Sequence, residues 1–484
     1  MDAGIRRRPW PAALAPALAC ALACALGGAA PAATPQAATP AAAATTSAAS
    51  ATTSAPAAAD TTRPRNIILM IADGCGFNHL RAAALWRDDQ DLFADWRDLP
   101  VRLAVSTFAE GERYDPDDYW ANGPLGEPPT DSAAAATALA TGHKTRNGRL
   151  SLSTADEALE TVVEAAERAG RATGLVTTVP FCHATPAAFA AHNASRSAYE
   201  QIANELLLRS AVDVLMGAGH PGFDKQGQPT AAAEYRYVGG ADTWRALLAG
   251  AAGGDADGDG RPDPWALVET DSAFAALATG AVPRRVVGVA RARETLQQQR
   301  PGDPQAAPFA EPPLAGVPTL ATMTRGALNV LDDDPDGFFL MVEGGAVDWA
   351  SHERQPGRMI EELVDFHEAV AAARAWIAAH GGWRDNLLVI TADHETGYLT
   401  GPPPAAGDWP PCRARQPLAG RGRGQVPDLR FNGGDHTNAL VPLLAAGAGS
   451  GRLAARATGL DPVRGPYLDN TAVGAVLQEL AVSR

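Results

Sequence analysis

Cysteine is scarce, with five in 484 residues. Two of them, Cys20 and Cys24, stand in an N-terminal apolar stretch. The remaining Cys75, Cys182 and Cys412 allow one bridge at most, so a disulfide framework is excluded and any stapling has to come from packing or bound metals. Positive charge is short as well: Lys and Arg total 40 against 55 Asp and Glu, a formal net charge of -15. That balance argues against a broad nucleic-acid face, because phosphate backbones are held by basic surfaces. It leaves small phosphate esters open, since carboxylates can be neutralised by metal ions. No internal repeat is found.

The N-terminus has the pattern of an export signal. Arg6, Arg7 and Arg8 precede an uncharged Ala/Leu-rich stretch over 9–33. Its alanines and interrupting prolines fit a cleaved signal better than a stable membrane span. Cys20 and Cys24, each in a Leu-Ala-Cys context, leave lipoprotein anchoring as an alternative, and the arginines also permit twin-arginine export. Residues 34–62 are almost wholly Ala, Thr, Ser and Pro, which bury too little apolar surface to offset ordering entropy. The expected division is an export signal (1–33), a disordered linker (34–62) and a catalytic domain (63–484), in a periplasmic or secreted protein.

Within 63–484, short β-branched runs alternate with longer Ala/Leu-rich segments. The runs are Asn66 to Ile71, Val101 to Thr107, Gly174 to Val179, Val212 to Met216, Phe338 to Val342, Leu387 to Thr391 and Leu440 to Leu444. The alternation predicts an α/β fold, a three-layer α/β/α sandwich with a mainly parallel central sheet. Residues 223–318 lose the pattern and are Gly-, Pro- and Ala-rich, which predicts a surface excursion. In such sheets ligands bind beyond the carboxyl ends of the strands, so the polar residues just after each run are the candidates.

Those positions hold metal-type side chains. Asp73 follows the first run, with Gly74 and Gly76 beside it; alone it would be read as a turn or cap. Asp393 and His394 follow Leu387 to Thr391, pairing a hard oxygen with an imidazole nitrogen. Asp348 and His352 are four residues apart, on one face of a helix, a spacing that suits a shared metal or a simple ion pair. His436 precedes the last apolar run. Three Asp and three His suffice for two sites of three protein ligands, each with an open position. Glu343 and Thr185 offer further oxygens of the kind magnesium takes. Ser132 opens an Ala-rich helix whose first amides would face a phosphate. A serine hydroxyl needs a base or a metal to act as a nucleophile, and no Gly-x-Ser-x-Gly elbow surrounds Ser132. Metal activation is therefore the simpler account.

Taken in order, Ile-Ala-Asp-Gly-Cys-Gly, Thr-Asp-Ser-Ala-Ala-Ala-Ala-Thr-Ala, His-Ala-Thr-Pro-Ala-Ala-Phe-Ala-Ala-His, Val-Glu-Gly-Gly-Ala-Val-Asp-Trp-Ala-Ser-His, Thr-Ala-Asp-His-Glu-Thr-Gly and Gly-Gly-Asp-His-Thr resemble the alkaline phosphatases. The similarity runs from about Arg65 to Arg484. It implies two zinc ions and one magnesium: Asp348, His352 and His436 on one zinc, and Asp73, Asp393 and His394 on the other beside Ser132. Asp73, Thr185 and Glu343 would surround the magnesium, with His183 near it. Arg196, in His-Asn-Ala-Ser-Arg, matches the arginine that grips phosphate, a task suited to a forked, permanently charged guanidinium. His183 and Trp349 stand where family members differ. The implied activity is hydrolysis of small phosphate monoesters through a phosphoserine, and the resemblance leaves room for a homodimer. The alternatives are a phosphodiesterase or sulfatase of the same superfamily, and a phosphate- or metal-binding protein without turnover.

One motif lies outside that set. Asp255, Asp257, Asp259 and Asp263 occupy positions one, three, five and nine of a loop with Gly260 at six, the start of a calcium-binding pattern. Position twelve is Ala266 rather than a bidentate Glu, with Glu269 as a candidate substitute.

Overall fold

The computed structural model describes residues 62–124, 128–256, 260–402 and 416–482. Its strands are β1 (Asn66–Ala72), β2 (Val101–Ser106), β3 (Ala172–Pro180), β4 (Val214–Ala218), β5 (Ala266–Val268), β6 (Val286–Val289), β7 (Phe338–Gly344), β8 (Asn386–Thr391), β9 (Glu395–Thr396), β10 (Leu399–Thr400), β11 (Arg430–Phe431), β12 (His436–Thr437), β13 (Val441–Gly447), β14 (Gly459–Asp461) and β15 (Gly465–Asp469). Eleven form one sheet in the order β14-β15-β2-β13-β8-β1-β7-β3-β4-β6-β5. β1, β7 and β8 are buried at every position, as strands covered on both faces must be. They and β3, β4, β5 and β6 run parallel, while β13 is antiparallel to β2 and β8.

Helices cover the sheet, giving the expected α/β architecture. The long helix Pro356–Ala379 contacts Leu320–Leu331 and Phe77–Asp88, and Ser132–Thr141 contacts Val162–Arg168 and Asn470–Ala481. All ten residues of Ser132–Thr141 are buried. Small side chains make that possible: Gly474 lies so close that a Cβ there would stand 2.3 Å from the Ala138 carbonyl oxygen. Gly474→Ala would therefore force the two helices apart, at a cost of roughly 1–3 kcal/mol.

The stretch 223–318 is not all surface. β6 is fully buried and pairs with β4, and β5 extends the same edge. Arg285 anchors this region, donating to the carbonyls of Ser210, Val212, Gly254 and Asp263 while covering Trp265. Asp257 and Asp259 lie outside the described residues. Of the other loop acids, Asp255 accepts the Gly260 N–H and Asp263 the Ala256 N–H. Glu269 lies with its Oε1 2.6 Å from His220 Nε2. Cys75 and Cys182 are free and buried, and Cys412 lies outside the described residues.

Candidate active site

Three neighbouring strands release their functional side chains at one edge. Ile71 of β1 lies opposite Glu343 of β7 and Thr391 of β8, so Asp73, Glu343 and Asp393 leave the sheet at one level, beyond the carboxyl ends where α/β sheets bind ligands. Gly74 has φ +71°, and a Cβ there would be 2.9 Å from Asp348 Cα; the turn after Asp73 is thus pressed against the helix Ala346–His352. That helix starts just after β7 and sets Asp348 and His352 one turn apart. His436 arrives on β12, which pairs with β9 directly after His394.

The six residues form two clusters, Asp348 with His352 and His436, and Asp73 with Asp393 and His394, the ligand atoms in each lying within 4.8 Å of one another. In the first, His352 Nε2 is 3.3 Å from Asp348 Oδ2 and 3.1 Å from His436 Nε2. In the second, His394 Nε2 is 3.4 Å from Asp73 Oδ1 and 3.3 Å from Asp393 Oδ2. Backbone carbonyls orient two of the imidazoles: Gly434 O lies 2.6 Å from His352 Nδ1, and Thr130 O lies 2.9 Å from His436 Nδ1. A proton on each Nδ1 leaves Nε2 with its lone pair turned inward. His394 and His436 stack with centroids 3.6 Å apart.

The electrostatics are those of a site short of positive charge. Burial, then Asp393, Asp348 and Glu343, push the Asp73 carboxyl well above its usual range. Burial likewise raises Glu343 to about 8 and Asp393 to about 6. For Asp348 burial acts in the same direction, but His352 and His436 outweigh it and hold it low. Burial would lower His352, yet Asp348 brings it to about 9. Asp73 Oδ1, Asp393 Oδ2, Glu343 Oε1, Thr185 Oγ1 and His183 Nε2 are buried with no hydrogen-bond partner. Five orphaned polar atoms in so small a region cost several kcal/mol unless a ligand takes them. Imidazole nitrogen with carboxylate oxygen suits zinc, and the oxygens of Asp73, Thr185 and Glu343 suit magnesium.

Ser132 is the first residue of its helix and is buried, its Oγ 3.1 Å from His394 Nε2. Asp131 caps the helix through the Ala134 N–H, and its other oxygen accepts from Arg196 Nη1 at 3.1 Å and from the Gly148 N–H. One N-cap residue therefore fixes both the Ser132 backbone and the Arg196 guanidinium. His183 stacks on Tyr199 at 5.0 Å and lies 5.4 Å from Trp349; burial, then Arg196, lower it to about 3.

Sequence reasoning missed two members of this neighbourhood. Thr396 donates to Asp348 Oδ1 at 2.5 Å and lies 3.3 Å from His394 Nδ1, linking the clusters. Glu395 accepts from the Leu399 N–H and the Thr437 hydroxyl, tying β9 to β12 between two of the histidines. Both stand inside the Thr-Ala-Asp-His-Glu-Thr-Gly motif, the one signal that could have marked them.

The comparisons with known proteins agree with one another. The family model described as alkaline phosphatase matches residues 64–413. Alkaline phosphatase 3 of Bacillus subtilis is 31% identical over 344 residues, 69% of this chain, which spans 61% of that relative's length. Alkaline phosphatase H of Pseudomonas aeruginosa is 31% identical over 378 residues, covering 71% of this chain and 72% of the relative. The solved alkaline phosphatase of the Antarctic bacterium TAB5 has the same fold, with a TM-score of 0.59 and 21% identity over 87% of this chain and 99% of that one. On the family match and the extent of these relatives, the chain belongs to the alkaline phosphatase family.

Proposed function

We propose that the protein hydrolyses phosphate monoesters, with Ser132 as nucleophile and release of inorganic phosphate. The observation that supports this best is the placement of the Ser132 hydroxyl against His394, among orphaned ligand atoms and beside an arginine held by the N-cap residue. In this reading one zinc is held by Asp348, His352 and His436, the other by Asp73, Asp393 and His394, and magnesium by Asp73, Thr185 and Glu343 with His183 beside it. When bound, these ions supply Lewis-acid charge that lowers the pKa of a hydroxyl or water and polarises phosphoryl oxygens.

The protein's own groups do the rest. Arg196 forks onto two non-bridging oxygens, with its orientation fixed by Asp131. The free amides at the start of helix Ser132–Thr141 face the same phosphoryl group. Ser132 Oγ, having lost its proton, attacks phosphorus in line; the P–O bond to the alcohol breaks and the alcohol leaves with a proton. Water then attacks the phosphoserine, breaking its P–O bond and returning Ser132 with phosphate released.

The chain is further read as an exported protein with signal 1–33, linker 34–62 and catalytic domain 63–484, acting in the periplasm or outside the cell. The basic-then-apolar N-terminus supports this, and among the described residues no helix is long and apolar enough to cross a membrane. Turnover of p-nitrophenyl phosphate and bis-p-nitrophenyl phosphate, with and without chelator, tests the activity. Chelator-sensitive monoester hydrolysis is expected to dominate; preferred diester turnover would move the assignment to the diesterase branch.

A further inference from the structure

The helix Pro356–Ala379, just after His352, carries a second group of acids that the chemistry above does not use. Glu361, Glu362 and Asp365 line a cavity of about 240 Å³ together with Phe309, Pro313 and Val364. Glu361 is well neutralised. Arg300 grips both its oxygens, at 2.8 and 2.9 Å, Arg358 lies 3.5 Å away, and the Phe309 N–H donates to it at 2.6 Å. Asp365 accepts the Leu320 N–H at 3.1 Å, at the start of the helix Leu320–Leu331, where the helix dipole favours an anion.

Glu362 has neither kind of support. It is 4% exposed, and its Oε1 has no hydrogen-bond partner. Burial, then Asp365 and Glu361, disfavour its ionised form, and Arg300, which opposes them, is already engaged by Glu361 and by the carbonyls of Glu311 and Pro312. A buried carboxylate in this position needs a counter-charge or a proton.

The chemistry of the cavity narrows what that counter-charge can be. Among the described residues the only groups of three converging metal-type ligands are the two in the active site. A hard divalent ion wants six or more oxygens, whereas Glu361 is taken up by Arg300 and one Asp365 oxygen by the Leu320 N–H. The walls contributed by Phe309, Pro313 and Val364 are apolar, and Phe309 is half exposed, with its ring 5.3 Å from Trp86. A cation that carries its own hydrocarbon satisfies both the acid and the wall, and an aromatic face adds attraction for such a cation.

We propose that this cavity binds a small organic ammonium ion, with Glu362 as its counter-ion and Phe309 against its alkyl side. Calorimetric titration of the zinc- and magnesium-loaded protein with n-butylammonium is expected to give saturable binding to one site. n-Butanol, similar in size but uncharged, should bind at least about tenfold more weakly, the size of a lost charge-assisted contact. Glu362→Gln should weaken butylammonium binding by about tenfold or more while phosphate-ester turnover is unchanged. Phe309→Ala, on the exposed wall, should weaken it about threefold and decides the matter if the Glu362 variant does not fold. Absence of saturable binding, equal affinity for butanol, or unchanged affinity in the folded Glu362→Gln protein overturns the proposal. Saturable calcium binding by a protein that ignores butylammonium would also overturn it and make the cavity a metal site.

Discussion

Two groups of buried acids in this molecule are neutralised in opposite ways. At the sheet edge Asp73, Glu343, Asp348 and Asp393 meet three histidines, and among the described residues no arginine or lysine forms a hydrogen bond or ion pair with any of the four. On the helix Pro356–Ala379, Glu361 is clamped by Arg300 and approached by Arg358. A guanidinium is a permanent part of the chain and makes its acid a strut. Carboxylates that converge with imidazoles but without a fixed cation leave the positive charge to come from outside, where it can be exchanged. The difference separates a scaffold from a site, and Glu362 is interesting because it sits among struts yet lacks a cation of its own.

The largest effect should come from removing the nucleophile while leaving both acid groups intact. Ser132→Ala is expected to lower monoester turnover by about a thousandfold or more with metal content retained. Near-normal turnover, read with p-nitrophenyl phosphate, would sink the nucleophile assignment. Next is a break in the sheet-edge group itself. Asp393→Ala should lose about one zinc per chain and at least about a hundredfold in activity, while Glu361→Gln should lower melting temperature without changing metal stoichiometry. Equal zinc loss in both, measured by elemental analysis, would erase the distinction between site and strut.

Arg196→Ala should reduce kcat/KM for monoesters by about 10- to 100-fold, the worth of a charge-assisted fork, with a smaller loss on diesters. Asp131→Ala frees the same guanidinium and should reproduce part of that loss. If Asp131→Ala leaves phosphate inhibition untouched, the N-cap does not position Arg196. The smallest effect concerns Glu362. Its folded pKa lies above the ordinary glutamate value of 4.5, so the stability conferred by its neutral form is complete below pH 4.5 and is lost as pH rises toward the raised pKa. In amine-free buffer Glu362→Gln should therefore be more stable than wild type at pH 8, with the gap closing near pH 4. A variant less stable at pH 8 than at pH 4, relative to wild type, would show that Glu362 is already paired.

The fold class was legible because the central strands are short, β-branched and buried on both faces, which leaves a plain run such as Asn66 to Ile71. The sheet margins were not. β15 carries Gly465 and Pro466, and β6 is four residues long within a Gly- and Pro-rich stretch, so neither stands out by periodicity; tertiary pairing, not local preference, makes them strands. At the candidate site, residue type and position after a strand marked the acids and histidines. What no local pattern could mark are contacts across the chain: Arg196 meets Asp131 from 65 residues away, and Thr396 meets Asp348 from 48. Such pairs depend on where the sheet brings distant turns.

β1 sits in the middle of the sheet, yet its neighbours are β7 and β8, and the Asn66 side chain accepts from the Phe338 N–H across 272 residues of chain. The first strand therefore has no strand partner until β7 has been synthesised. Non-local pairing of this kind makes folding slow. Asp73 and His436, near opposite ends of the chain, belong to adjoining clusters, so the proposed ion sites are complete only once both ends have come together.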